Sequence, residues 1–516
     1  MTAQKLDDNF PTPDRSTWES LVAKTLAGKD LASLDHEIGG QRFSPIYAPT
    51  ASTLRPRMAG TTALVAVPRP AEAISLLSQR YDRVHISADW TQAQCRATFR
   101  AQDVVHVDTH PKTGAFLDDA IGWISTVFHD PFLTGVSSVD EHHTLLGYVS
   151  LDGAAWELAG ANATEELAAI GAGVLEGLRA GATSFHLRLA LTPMVFESIA
   201  KRRALDAILG RIQQWHGTSF DDHVHGLTSI RTFSAYDPFT NILRSACSTA
   251  AGLIAGFDTL TAMPHDWRCA TPSDGTRIAA NLPHVLREES HLLRTWDAAG
   301  GSGYLEALTD GLARAAWELI LDLERAGGLG AARETMFGRL QTNQAASARA
   351  VATRKTVLVG VNDFVDALEI TALRQLHRPS ESSDGLGDPF EPAFAGLGWE
   401  ALARRAQGKA VGIVGVGELK RHKARRDYVE RLLRAGGFSP EDSAEPHVVF
   451  LVGHDEDYPT DGLQQAKELT AAGHRVVVAG RPGELEAGWN QNGVSDFVYI
   501  GADVLAVLSQ LLEAHP

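Results

Sequence analysis

Val411-Gly412-Ile413-Val414-Gly415-Val416-Gly417, followed by Lys420-Arg421-His422-Lys423-Ala424-Arg425, is the stretch that decides the fold. An apolar run of this length, punctuated by glycine, reads as a buried strand and its turn. The residues after it continue as a helical pattern that stops at Gly436-Gly437. Strand, glycine turn and helix in that order belong to an open α/β sheet, whose ligands gather at the carboxyl ends of the strands. His422 stands at that end and is the first candidate binding residue. A dinucleotide fingerprint would need a third glycine at position 420, where Lys420 stands, so Gly415-Val416-Gly417 is not expected to cradle a phosphate.

Working outward, His447 to Val452, Arg475 to Ala479 and Phe497 to Ile500 read as further strands, and Val504 to Leu512 as a closing helix. Residues 409–516 are thus expected to form a doubly wound domain of flavodoxin-like type. Upstream, 46–345 alternates apolar runs with helical patterns. Thr62 to Val67, Val84 to Ser87, Val104 to Val107 and Phe185 to Leu189 read as strands, and Ala163 to Ala180 and Leu305 to Ala326 as helices. Such alternation over 300 residues favours a parallel (β/α)8 TIM-type barrel. Residues 346–408 read as a connector, with Val357 to Asn362 as one more strand and turn and a Pro/Gly/Ser-rich run from Arg378 to Gly398. Residues 1–45 read as an arm, with Ser16 as helix N-cap and Glu19 three residues on. Its apolar content, centred on Trp18 and Leu21, needs another surface to bury against.

Composition excludes several classes. A formal net charge of −16 disfavours nucleic acid and anionic lipid as partners. Cys95, Cys247 and Cys269 form no disulfide framework or Cys-x-x-Cys spacing. No run reaches the roughly 18 apolar residues that span a bilayer, and the N-terminus carries no apolar signal region. A cytoplasmic location follows as an expectation. Glu141-His142-His143 and Asp221-Asp222-His223-Val224-His225 have metal-ligand chemistry, but neighbours in extended chain point to opposite sides, so both are expected to be polar loops near strand ends and no metal is expected. Arg287-Glu288-Glu289-Ser290-His291 closes a helical stretch and is expected to be a solvated or interface face.

Four stretches in order carry a resemblance. Residues 231–244, Arg-Thr-Phe-Ser-Ala-Tyr-Asp-Pro-Phe-Thr-Asn-Ile-Leu-Arg, contain Asp-Pro-x-x-Asn-x-x-Arg. Arg277-Ile278-Ala279-Ala280-Asn281 through Glu288-Glu289-Ser290 follows. Then come Gly300-Gly301-Ser302-Gly303-Tyr304-Leu305-Glu306 and Val359-Gly360-Val361-Asn362-Asp363-Phe364. Together they resemble the methylmalonyl-CoA mutase family of adenosylcobalamin-dependent isomerases. The resemblance implies a substrate barrel followed by a cobalamin-binding-type domain. It also implies a cobalamin loop Asp-x-His-x-x-Gly, in which the His replaces a base on cobalt, the Asp orients that His, and the Gly leaves room for the corrin.

Against that pattern His422 keeps the histidine, while Lys420 stands for the Asp and Arg425 for the Gly. Val452-Gly453-His454-Asp455 and Ala479-Gly480 depart from the family's later cobalamin signatures. His422 is therefore expected to be vestigial, a surface histidine at a helix start with a cation beside it. In Gly153-Ala154-Ala155, alanines take the places of the family's Tyr and His, and an alanine cannot donate to a carbonyl oxygen. Asp258, Thr261 and Met263 replace a Gln, a His and an Asn. The form Phe257-Asp258-Thr259-Leu260-Thr261-Ala262-Met263-Pro264-His265-Asp266 resembles the small, non-catalytic subunit of heterodimeric members. The expectation is a chain with no catalytic residues and no cofactor of its own. Its homologous large (alpha) subunit would bind adenosylcobalamin and interconvert (R)-methylmalonyl-CoA and succinyl-CoA. The rival reading is an active adenosylcobalamin-dependent acyl-CoA mutase acting alone.

Overall fold

The computed structural model describes residues 14–48, 149–269, 274–295, 297–365, 392–494 and 496–513, together with the backbones of four strands between 63 and 128. The chain is α/β, with more of the described residues in helices than in strands and two parallel sheets.

The first sheet has eight strands. They are β3 (Ala63–Ala66), β4 (Arg83–Ile86), β5 (Val105–Asp108), β6 (Ile124–Phe128), β7 (Val149–Asp152), β8 (Ser184–Leu191), β9 (Asp221–Thr228) and β10 (Thr259–Thr261). Their order is β6-β5-β4-β3-β10-β9-β8-β7, and every pairing is parallel. The first strand of the set thus lies beside the last. Helices α2 (Gly153–Leu158), α3 (Ala163–Arg179), α4 (Val195–His216), α5 (Thr240–Ala255), α6 (Gly275–Glu288), α7 (Gly303–Arg325) and α8 (Arg333–Ala352) follow the strands. Asn162 and Glu165 close a capping box at the start of α3. Leu167, Ile170 and Val174 of α3 share one buried cluster with Leu187 and Leu189 of β8 and with Leu308, Leu312 and Ile320 of α7. Each such leucine contributes roughly 1.5–3 kcal/mol by leaving water.

The second sheet has the order β12-β11-β13-β14-β15, again all parallel. Its strands are β11 (Ala410–Gly415), β12 (Ser439–Glu441), β13 (Val448–Val452), β14 (Arg475–Ala479) and β15 (Asp496–Val498). Helices α9 (Leu397–Ala406), α10 (Leu419–Ala435) and α13 (Val504–Glu513) cover one face through Trp399, Leu402, Leu432, Leu433 and Leu508. Helices α11 (Leu463–Ala471) and α12 (Glu486–Gln491) lie in the same half, and Ala466 and Trp489 cover the other face. The two halves touch where Tyr236 packs on Ala403.

Helix α1 (Arg15–Thr25) has no buried residue, and Leu21 is 58% exposed. Its N-cap is Asp14, not Ser16: the Asp14 carboxylate accepts from the Thr17 amide at 2.7 Å and from the Ser16 hydroxyl. A carboxylate also answers the helix dipole, and Glu19 pairs with Arg15 instead of closing a box. The hairpin β1 (His36–Ile38) and β2 (Gln41–Phe43) buries Ile38 and Phe43 in the first core.

Two further expectations change. Val357 to Asn362 is a tight turn with one bridge, Val359 to Asp363, because the Asn362 side chain folds it: its Oδ1 accepts from Leu358 and its Nδ2 donates to the Val351 and Thr356 carbonyls. Asp221 to His225 is not a loop but the first half of β9. Helix α8 runs through position 345, and α9 packs on the second sheet. Most of Arg378 to Gly398, and Glu141-His142-His143, lie outside the described residues. No helix among the described residues is long and apolar enough to cross a membrane.

Candidate functional site

Two places collect chemistry, both at carboxyl ends of strands. The first lies over β7 to β10. Asp152 ends β7 and caps α2 by accepting from the Ala155 amide at 3.1 Å; the Arg188 guanidinium on β8 holds the same carboxylate. Ala154 is buried and Ala155 half-buried in the first turn of α2, and Ala154 lines the cavity at the strand ends. Glu157 accepts from the Ser229 hydroxyl at 2.8 Å. Glu166 accepts from the Ala190 amide at 2.7 Å and from the Lys201 ammonium at 2.5 Å. Burial pushes the Glu166 carboxyl up to about 7 although Lys201 pulls it down.

A cavity of about 60 Å³ opens between these groups, walled by Ala154, Glu157, Ala190, Thr228, Ile230 and Met263. That is room for about two waters, at ~30 Å³ each. Within the sheet, His186 stacks on His223 at 5.0 Å between ring centres. His223 Nε2 and His225 Nδ1 lie 3.0 and 2.8 Å from the Thr259 hydroxyl. Among the described residues no group of three or more His, Cys, Asp or Glu side chains could hold a metal ion.

The second place is the edge of β11, β13 and β14. His422 is in the first turn of α10 but is not a surface residue. It is 4% exposed, and its ring lies so close to Gly415 that a Cβ there would be 2.6 Å from Nε2. Among the described residues its buried Nδ1 has no hydrogen-bond partner. Lys420, expected beside it, extends into solvent onto Glu418 at 2.7 Å. Arg425 crosses the strand ends: Nη1 donates to the Gly453 carbonyl at 2.7 Å and Nη2 to Asp455 at 2.8 Å. Its guanidinium stacks over the Tyr458 ring at 5.4 Å.

Tyr458, which the sequence reading did not single out, fills the middle of this edge. Its hydroxyl accepts from the Gly453 amide at 2.9 Å and donates to the Ala479 carbonyl at 2.7 Å. Burial pushes its phenol above the ordinary range, and Arg425 opposes that. Arg421 closes the outer side on Asp457, at 2.5 Å, and Glu456, at 2.7 Å.

The stretches that carried the resemblance hold structure together. Asp237 caps α5 through the Thr240 amide at 3.0 Å. Asn241 donates to the Ser234 and His265 carbonyls, and Arg244 reaches the Val359 carbonyl at 2.7 Å. Gly360, at φ +76°, approaches Asp237 so closely that a Cβ would meet its carboxylate. Glu306 accepts from the Gly301 amide and from Arg203.

A family model described as methylmalonyl-CoA mutase matches residues 136–383. The methylmalonyl-CoA mutase small subunit of Streptomyces virginiae is 30% identical over 408 residues, 72% of this chain and 65% of that protein. The small subunit from Porphyromonas gingivalis is 28% identical over 346 residues, 61% of this chain and 55% of that protein. Residues 136–383 of this chain are thus similar to the methylmalonyl-CoA mutase family. The large subunit from Porphyromonas gingivalis is also similar, 31% identical over 254 residues, 44% of this chain and 35% of that protein. The aligned region is thus less than two thirds of the length of each of these relatives.

The matched residues, 136–383, include the whole first place, with Ala154, Ala155, Asp258 and Met263. The structure brings Ala154 and Met263 to one cavity, and leaves Asp258 below it, accepting from the Val224 amide at 2.8 Å. His422 and Arg425 belong to the other edge, and Tyr458 joins them. The signal that could have found Tyr458 is its position after β13 with Pro459 next, in a segment otherwise polar.

Proposed function

We propose that this chain is the non-catalytic small subunit of a heterodimeric methylmalonyl-CoA mutase. Its partner is a homologous large (alpha) subunit that binds adenosylcobalamin and interconverts (R)-methylmalonyl-CoA and succinyl-CoA. The observation that carries this reading is the cavity over β7 to β10. Ala154 and Ala155 stand where the family pattern has Tyr and His, and about 60 Å³ of space leaves little room for an acyl group. Small-subunit relatives in two organisms, one of which also has a similar large subunit, support the same reading.

The chain is further proposed to bind no adenosylcobalamin. The groups at the second edge do not fit that cofactor: His422 has no carboxylate to orient it, and Arg425 and Tyr458 bridge Gly453, Asp455 and Ala479 across the strand ends. The finer fold in this reading is a TIM-type barrel at 46–345, a connector at 346–408 and a flavodoxin-like domain at 409–516. The approach of edge strands β6 and β7, and the order β12-β11-β13-β14-β15, support it. The arm at 1–45 is proposed to bind the large subunit, with a cytoplasmic location. The test is co-expression of the tagged chain with its large subunit. Stoichiometric co-purification is expected, reduced by Trp18→Ala with Leu21→Ala. A red cobalamin complex of the isolated chain, or mutase turnover by it alone, would overturn the proposal and support an independent enzyme.

A further inference from the structure

A cleft of about 350 Å³, separate from both strand-end places, lies among α8, the segment before α9, and α13. Its walls include Val351, Phe394, Trp399 and Leu505, with the exposed Ala348 and with Arg231 also on its lining. Arg231 follows β9 by three residues, and its backbone is fixed from both sides. Its amide donates to the Ser229 hydroxyl at 3.2 Å, and its carbonyl accepts from the Ala395 amide at 2.9 Å. The side chain therefore leaves a held base.

That side chain is only 16% exposed, yet among the described residues its guanidinium donates no hydrogen bond. The nearest carboxylate oxygen, Glu157 Oε1, is 4.0 Å away. Beyond that long ion pair with Glu157, the five donors have no acceptor among the described residues, which leaves them for a ligand or water. The cleft has the volume of a small-molecule site, and aromatic and aliphatic walls with one cation are its usual composition.

We infer that this cleft binds a small monocarboxylate with an apolar body. Its carboxylate lies on Arg231 and its chain runs between Phe394, Trp399 and Leu505. Glu157, and Glu197 nearby, favour one negative charge over two: a phosphate dianion would bring extra repulsion against the same single cation. The site is independent of the small-subunit reading, because it needs neither the partner nor the mutase reaction.

The test uses the full chain alone, with hexanoate, hexan-1-ol and inorganic phosphate as probes in saturation-transfer NMR. Hexanoate is expected to bind saturably with a Kd of about 1 mM or below. Hexan-1-ol and phosphate are expected to bind at least about tenfold more weakly, and Arg231→Gln to weaken hexanoate about as much. Ala348→Phe, a substitution on the open side of the cleft, is expected to block it and retains every charge. Thermal melts of both variants check folding, and Ala348→Phe carries the test if Arg231→Gln does not fold. Absence of saturable hexanoate binding, the same affinity in a folded variant, or phosphate binding as tight as hexanoate would overturn the inference.

Discussion

Arg268 and Glu400 form a buried, two-point ion pair between the two halves of the chain. Nη1 lies 2.9 Å from Oε1 and Nη2 2.7 Å from Oε2, with the side chains 3% and 0% exposed. The same carboxylate accepts from the Ala235 amide, and Arg268 stacks on Phe394 at 4.2 Å. The pair and the Ala235 bond cross from the end of the first sheet to α9, while Arg268 Nη1 also donates to the Phe233 carbonyl at 2.6 Å.

Removing one partner strands a charge. Glu400→Ala is expected to lower stability by about 3–5 kcal/mol, whereas Arg268→Met with Glu400→Leu should cost less than either single change. Urea midpoints of the three variants check this. A single variant within about 1 kcal/mol of the parent chain would refute the account.

Glu166 sets a pH dependence. Its folded carboxyl is raised to about 7 from an ordinary 4.5. The folded state therefore holds a proton that the unfolded state has released over this range. The stability this group contributes is complete below about 4.5 and is lost as pH rises to about 7, with a slope of up to about 1.4 kcal/mol per pH unit. Glu166→Gln should flatten that portion of the curve. Denaturant midpoints at closely spaced pH values measure it, and an unchanged slope would show that another group is responsible.

Tyr458→Phe deletes one hydroxyl that serves both the Gly453 amide and the Ala479 carbonyl. Leaving a buried N–H unanswered costs about 1–3 kcal/mol. Amide exchange at Gly453 should accelerate in step, and protection equal to that of the parent chain would contradict the hydrogen-bond assignment.

Gly360→Ala places a methyl where the Asp237 carboxylate lies, at a φ of +76° that side chains rarely adopt. A loss of about 1–3 kcal/mol is expected. Asp237→Ala in the same chain should recover part of it by opening the space, although it also removes the cap on α5. A melting temperature for Gly360→Ala equal to the parent would remove the packing argument.

The second sheet was legible because its strands are buried on both faces and read as unbroken apolar runs. Val448 to Val452 is buried throughout. The first sheet was half legible. Strands β3, β4, β5 and β8 lie within two residues of their expected positions, but β6, β7, β9 and β10 escaped. Asp221-Asp222-His223-Val224-His225 and Thr259-Leu260-Thr261 put polar side chains on one face, and those side chains satisfy each other, as His223 and His225 do on Thr259. A polar sheet face defeats a reading based on hydrophobic runs. At the site, Ala154, Ala155 and Arg425 were readable as substitutions against a family pattern. The burial of His422 was not, because the space it uses is made by the missing side chain of Gly415, seven positions earlier and on a different element.

That contact makes two positions conditional on each other. With histidine at 422, any side chain at 415 collides with the ring; with a small residue at 422, the same side chain has room. The order of change therefore matters: a substitution at 415 is accepted only after 422 has become smaller, and the reverse order passes through a clash. A histidine can persist along such a path, held in place by the absence of an atom opposite it.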